Sequence, residues 1–177
     1  METTINKMPT FAENFFNRLN NYLDNNVYFY GSVQRPDYLP YDSDVDVAIF
    51  ADNIPSMLNK LSNFLEIKVA DFKRFIWKLN YTNKVIPGYK FMYEIPEQNF
   101  KAEFCIYNEN DKNELLHEYR LKTFLPFYSI WLLHIIKFFY YRLKIMPRVW
   151  YVYLKDLVIN KITGQGSSQF VIMDLPR

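Results

Sequence analysis

The chain of 177 residues is 50% hydrophobic and 23% charged, a balance that excludes long disorder as the main state and suits one compact body, with or without a helical extension. Fifteen Tyr and 16 Phe against only 4 Gly provide apolar area for a sizeable core and leave no room for long Gly-rich linkers. A single cysteine, Cys105, excludes an intramolecular disulfide and a zinc site built on several thiolates, and makes a reducing, cytoplasmic setting the natural expectation.

Net charge is only +2, but it is unevenly spread. Residues 1–120 carry 13 basic and 17 acidic side chains, and residues 121–177 carry 8 and 2. An acidic front half beside a basic rear half is compatible with a metal site facing a polyanion, and equally with two solvated faces. The start, METTINKMPTFAENFF, has no apolar run behind a basic end, so a signal peptide is not expected.

In chain order, Phe11, Phe15, Phe16, Leu19 and Leu23 fall at helical spacing and predict a short amphipathic helix. VYFYGS from Val27 is rich in β formers, and DSDVDVAIF alternates from Asp44, so both read as strands. Pro36 and Pro40 bar a long helix in the loop between them. Pro55 opens a second helix through Met57, Leu58, Leu61, Phe64 and Leu65. Phe72, Phe75, Ile76 and Leu79 suggest a further helix, with a strand as the alternative. GYKFMYEI and FKAEFCIY flank the polar turn PEQN as an antiparallel hairpin.

From Asp111 the pattern becomes helical, with breaks at Pro126 and Pro147. The segment after Gly164 is loop-like before FVIMD, a candidate edge strand. The 13 residues from Phe124 to Ile136 carry no charge, whereas a membrane span needs roughly 20 apolar residues. The expectation is therefore a core helix burying Trp131, Leu132, Ile135 and Phe138, with Lys137 snorkelling to the surface. Membrane association is not expected, although Lys137, Arg142 and Lys144 among Trp131, Tyr140 and Tyr141 would suit an interfacial helix.

Residues 27–50 carry the chemistry. Two positions apart on a strand, Asp44 and Asp46 would project from one face while Val45, Val47 and Ile49 face a core. Adjacent carboxylates repel unless a cation lies between them, and a hard divalent ion suits oxygen ligands. In KAEFCIY, Ala102, Phe104 and Ile106 form one face and Glu103 stands on the other, so Glu103 can supply a third carboxylate. Glu94 competes for that place. Ordinary strand-edge charges remain the alternative for the aspartates, and plain exposure for Glu103. Gly31-Ser32 closes the first strand with a flexible backbone and a hydroxyl that can meet phosphate oxygens.

This ordered set resembles the polymerase-beta-like nucleotidyltransferase superfamily: Gly31-Ser32, then Asp44-Val45-Asp46, then Glu103 on a later strand. The first part is similar to the minimal nucleotidyltransferases, with Arg35, Asp37 and Ser43 at matching positions and Pro36 where those enzymes have Gly. The resemblance implies an α+β fold, a small mixed sheet backed by helices. Residues 1–110 would form the nucleotidyltransferase-like domain and residues 111–177 a helical segment packed on it. It also implies two Mg²⁺ ions held by Asp44, Asp46 and Glu103, with Gly31, Ser32, Ser43 and Arg35 at the nucleotide.

The implied reaction moves an NMP from an NTP such as ATP to a hydroxyl of a protein, RNA or small-molecule acceptor, with pyrophosphate leaving. Asp44, Asp46 and Glu103 would be the catalytic residues. The rival expectation is an inactive, antitoxin-like binding or regulatory module on the same fold.

Overall fold

The computed structural model describes residues 3–79, 81–162 and 170–172. Helix α1 (Thr10–Leu23) ends on Asp24 in the left-handed region and buries Phe15, Phe16, Leu19 and Leu23, the stripe expected from spacing. Strands β1 (Val27–Tyr30) and β2 (Val45–Ala51) pair antiparallel. Asp44 lies just ahead of β2, one residue outside the strand expected from the alternation. In helix α2 (Ile54–Leu65) the Asn53 side chain accepts from the Ser56 N–H at 3.0 Å, and Pro55 sits in the first turn, where its missing N–H costs nothing.

The Phe72–Leu79 stretch is not a helix. It forms strand β3 (Lys73–Lys78), in which Phe75 and Trp77 alternate inward, and it pairs with β4 (Val85–Ile95). Period two wins there because a partner strand is present to satisfy the backbone. The expected hairpin is formed by β4 and β5 (Phe100–Asn108), joined by a tight turn at Pro96–Gln98. Helices α3 (Lys112–Thr123), α4 (Phe127–Lys137) and α5 (Arg148–Ile162) follow, with a π-helical turn over Phe138–Arg142. Part of the FVIMD segment is described, as strand β6 (Phe170–Ile172) at the edge beside β3; Met173 and Asp174 lie outside the described residues, as do residues 163–169, on which the expectation of a loop after Gly164 falls.

The six strands run in the order β1-β2-β5-β4-β3-β6, antiparallel except for the central β2–β5 pair. The protein is α+β, a mixed sheet with helices on both faces. One face carries Val47, Ile49, Phe104 and Ile106 against Phe16, Leu19 and Leu61 of α1 and α2. The other carries Ala48, Phe50, Phe75 and Tyr107 against Leu115 and Tyr119 of α3. A third cluster, Leu125, Leu133, Ile136, Tyr151 and Val158, holds α4 to α5.

The apolar helix α4 is buried through a different stripe from the expected one. Leu133, Ile136 and Lys137 face inward, while Trp131, Leu132 and Phe138 are exposed. The reason is chemical: α4 turns toward α5 and the Asp37–Ser43 loop the one side that carries a cation with partners to meet. No single helix among the described residues is long and apolar enough to cross a membrane.

Candidate active site

The β2–β5 register sets Asp46 directly opposite Glu103, and the β1–β2 register sets Tyr30 opposite Asp46. Because side chains alternate, both acids project from the face that carries Ala48, Phe50 and Tyr107. Asp44, Asp46 and Glu103 line one cavity of about 280 Å³, bounded by Gly31 and Ser32 on one side and by α3 and α5 on the other. Glu94, the competing acid, pairs with exposed Lys101 and does not line the cavity.

Gly31 explains how an acid fits so close to the β1 end. Its φ is +70°, and a Cβ there would fall onto Asp46 Oδ2. Only glycine accepts both the backbone conformation and the carboxylate lying against it. The chain then makes a tight turn over Gly31–Gln34, in which Arg35 N–H donates to the Ser32 carbonyl at 2.9 Å. The Ser32 Oγ is buried and has no hydrogen-bond partner among the described residues. A buried hydroxyl without a partner is costly unless a ligand completes it.

Burial first, then the charges of Asp44 and Glu103, push the Asp46 carboxyl well above the usual carboxylate range; Lys155 and Arg35 oppose the shift. Glu103 is drawn toward Lys90, whose Nζ is 3.6 Å away, and accepts a long contact from the Cys105 thiol at 3.8 Å. Burial and then the neighbouring Glu103 push that thiol up, so Cys105 is unsuited to act as a nucleophile. Its sulfur in turn accepts from Tyr30 Oη at 3.3 Å, and the Tyr30 ring stacks on Tyr119 with centroids 3.9 Å apart.

The loop that delivers Asp44 is pinned from below. Arg35 is buried, and its guanidinium forks onto Asp37, with Nε to Oδ1 at 2.8 Å and Nη2 to Oδ2 at 3.2 Å. Lys137 does not snorkel. It reaches in from α4 to donate to the Asp37 carbonyl at 2.7 Å and to Ser43 Oγ at 3.1 Å, with Asp37 Oδ2 at 2.9 Å. Ser43 Oγ also accepts from the Leu39 N–H at 3.2 Å, so this hydroxyl serves the loop and does not line the cavity. Burial by itself would raise the Asp37 carboxyl; Arg35 and Lys137 outweigh it and hold the group below its ordinary value.

Among the described residues, no three His, Cys, Asp or Glu side chains converge into a ready-made metal site. The donor chemistry nevertheless fits a hard divalent cation. All three acids offer oxygen, they share one cavity, and Asp46 is buried there beside the charges of Asp44 and Glu103. Glu103 is half-buried beside Lys90, its nearest cation.

The sequence matches the family model described as a nucleotidyltransferase domain over residues 12–145. The chain belongs to the nucleotidyltransferase-domain family. No curated protein sequence matches it significantly. Among solved structures it is similar to one described as the structure of the GLD-2/RNP-8 complex, with 15% sequence identity and a TM-score of 0.31. That likeness covers 86% of this chain and 61% of the other, so the chain spans less than two thirds of the chain it resembles.

Within the nucleotidyltransferase match lie Gly31, Ser32, Asp44, Asp46 and Glu103, together with the Lys137 that holds the loop. Tyr151, Lys155 and Ile159, which line the cavity from α5, lie beyond the match, whereas Lys122 and Tyr119, which line the cavity from α3, lie within it. The spacing of the first three, i, i+4 and i+8, marked a single helix face, but nothing local said that this face meets the acids. The one signal for Lys137 was a charge placed four residues after Leu133 inside an apolar run, where a surface stripe would not put it.

Proposed function

We propose that the protein transfers a nucleoside monophosphate from an NTP to a hydroxyl acceptor, with pyrophosphate leaving. The observation that carries this reading is the direct pairing of Asp46 with Glu103 across β2–β5, in a cavity that also holds Asp44 and the Gly31-Ser32 turn. Asp44 and Asp46 would hold Mg²⁺, with Glu103 on the acceptor side. Bound there, the ions would offset phosphate charge on both the attacking and the leaving oxygens.

The residues then divide the work. Ser32 Oγ and the N–H groups of the turn hold outer phosphate oxygens, which gives the buried hydroxyl the partner it lacks among the described residues. Lys155, on the opposite wall, adds positive charge toward the same phosphates, while Lys122 beside it is paired with Glu118 at 3.2 Å. Glu103 takes the acceptor proton as the acceptor oxygen bonds to the α-phosphorus, and the bond from that phosphorus to the bridging oxygen breaks. Arg35, forked onto Asp37, keeps the turn in place beside the nucleotide. The acceptor class, a protein side chain, an RNA end or a small molecule, is a matter for the walls contributed by α3 and α5.

A second reading has one observation in its favour. Glu103 leans to Lys90 at 3.6 Å, which leaves the acids short of a closed set and suits a nucleotide-binding module without transfer activity. Incubation with each α-labelled NTP and Mg²⁺, scored for labelled protein, RNA or small product, separates the two. Label transfer that Asp44→Asn with Asp46→Asn abolishes supports the enzyme. NTP binding without transfer to any acceptor supports the module.

A further inference from the structure

We infer that the outer face of α4 and its π-helical turn is a docking surface for an anionic lipid bilayer. Phe127 is 85% exposed and Trp131 69% exposed, and Phe138 and Phe139 continue the same side into the turn. Trp131, Ile135, Phe138, Phe139 and Arg142 line one shallow groove, so the apolar groups are contiguous. Apolar area of this kind in water is costly unless something covers it.

Charge says what covers it. Between Phe127 and Trp150 the chain carries Lys137, Arg142, Lys144 and Arg148 and not one Asp or Glu, and of these cations only Lys137 is turned inward, onto Asp37. Arg142, Lys144 and Arg148 are all exposed, immediately beyond the aromatic groups. A protein interface ordinarily has a polar rim with few charges at its centre, whereas a helix with Trp and Phe on one side, followed by three exposed cations, matches the boundary between acyl chains and anionic headgroups. The helix lies in that boundary and does not cross it, since α4 has 11 residues and breaks into a wider turn. Its inner side is already engaged through Leu133, Ile136 and Lys137, so docking needs no unfolding. This inference does not rest on the nucleotidyltransferase reading, because neither the groove residues nor Arg142, Lys144 and Arg148 line the acidic cavity.

The test is flotation of the full chain with phosphatidylcholine vesicles, pure or carrying phosphatidylserine at about 7:3, repeated in about 0.5 M NaCl. Binding to the anionic vesicles is expected, weaker by roughly a hundredfold on neutral vesicles if three cations contribute, and strongly reduced by salt. Trp131→Glu with Phe138→Glu, both at exposed positions, should lower anionic binding at least about tenfold while circular dichroism and melting stay unchanged. Should that variant misfold, Arg142→Gln, Lys144→Gln and Arg148→Gln together must produce the same loss. No flotation with anionic vesicles, or equal flotation with neutral ones, overturns the inference. A dimer in sedimentation velocity that the Trp131 and Phe138 changes dissolve would assign the face to a second copy. Binding of poly-glutamate without vesicle binding would assign it to an acidic protein.

Discussion

Lys137 Nζ lies 2.9 Å from Asp37 Oδ2, although 100 residues separate the two in the chain, and neither side chain has more than a trace of solvent contact. Removing one partner of a buried ion pair leaves the other uncompensated, at about 3–5 kcal/mol. Lys137→Met is expected at the low end, about 3 kcal/mol, because Asp37 keeps the Arg35 fork. Equilibrium urea denaturation measures it.

The same pair has a pH signature. Arg35 and Lys137 outweigh burial and lower the folded-state pKa of Asp37 below its ordinary value of about 3.9. The stability this supplies is fully present above that ordinary value and is lost as pH falls through the lowered one. Lys137→Met should therefore flatten the acid limb of the stability curve below about pH 4, and a mutant curve parallel to the native one would contradict the assignment.

Gly31→Ala tests the close approach to Asp46. The φ of +70° alone costs about 1 kcal/mol for a residue with a Cβ, and the displaced carboxylate adds to it. A loss of roughly 2 kcal/mol is expected, with nucleotide transfer reduced at least about tenfold. In an Asp46→Ala background the stability loss should shrink toward about 1 kcal/mol, since only the backbone strain remains. Additive losses in this double-mutant cycle would mean that the carboxylate does not rest on Gly31.

Asp46 should destabilise the protein in the absence of a cation. Burial, then Asp44 and Glu103, raise its pKa in the folded state, so the folded chain holds a proton that the unfolded chain has released. Stability consequently falls as pH rises from about 4 toward the raised value. Asp46→Asn removes this loss and should melt no lower than the native protein at pH 7, and about 3 °C higher if the relief is ~1 kcal/mol. Millimolar Mg²⁺ should raise the native melting temperature and leave the variant unmoved.

These residues also show where sequence stops being informative. Alternation in KAEFCIY and VDVAIF was enough to put Glu103 and Asp46 on outward-pointing positions, because period two is a property of the backbone itself. Their direct opposition depends on the parallel β2–β5 register, a long-range pairing made across α2, β3 and β4. Trp131 and Lys137 were misassigned for a related reason. Apolar spacing along α4 allows more than one buried side, and the choice was made by Asp37 and Ser43, residues nearly a hundred positions earlier that offer Lys137 its partners. The Lys155 wall was invisible because α5 reaches the acids only through tertiary packing.

Glu103→Gln separates chemistry from binding. A general base acts on the acceptor proton in the transition state, and its loss typically lowers the chemical step by about 10²–10⁴-fold. Nucleotide affinity, measured by equilibrium dialysis, should change far less, because Glu103 is assigned to the acceptor side. Equal losses in both would make Glu103 a binding group only.

Ser32→Ala gives the opposite split. A hydroxyl with a structural partner loses that hydrogen bond on truncation, at about 1 kcal/mol, but Ser32 Oγ is buried without one among the described residues. The folded protein therefore gives up nothing and sheds an unsatisfied group, so stability should hold or rise slightly. A hydrogen bond to a charged phosphate is a different matter, worth about 1.5–3 kcal/mol, or roughly a 10- to 150-fold change in affinity. The expected result is a melting curve at or above that of the native protein together with NTP binding weakened by at least about tenfold. Gly31 and Asp46 would be unaffected, since the substitution leaves the turn's backbone bond from Arg35 N–H to the Ser32 carbonyl in place. A destabilised Ser32→Ala protein that binds NTP normally would make this hydroxyl a structural group and remove it from the phosphate site.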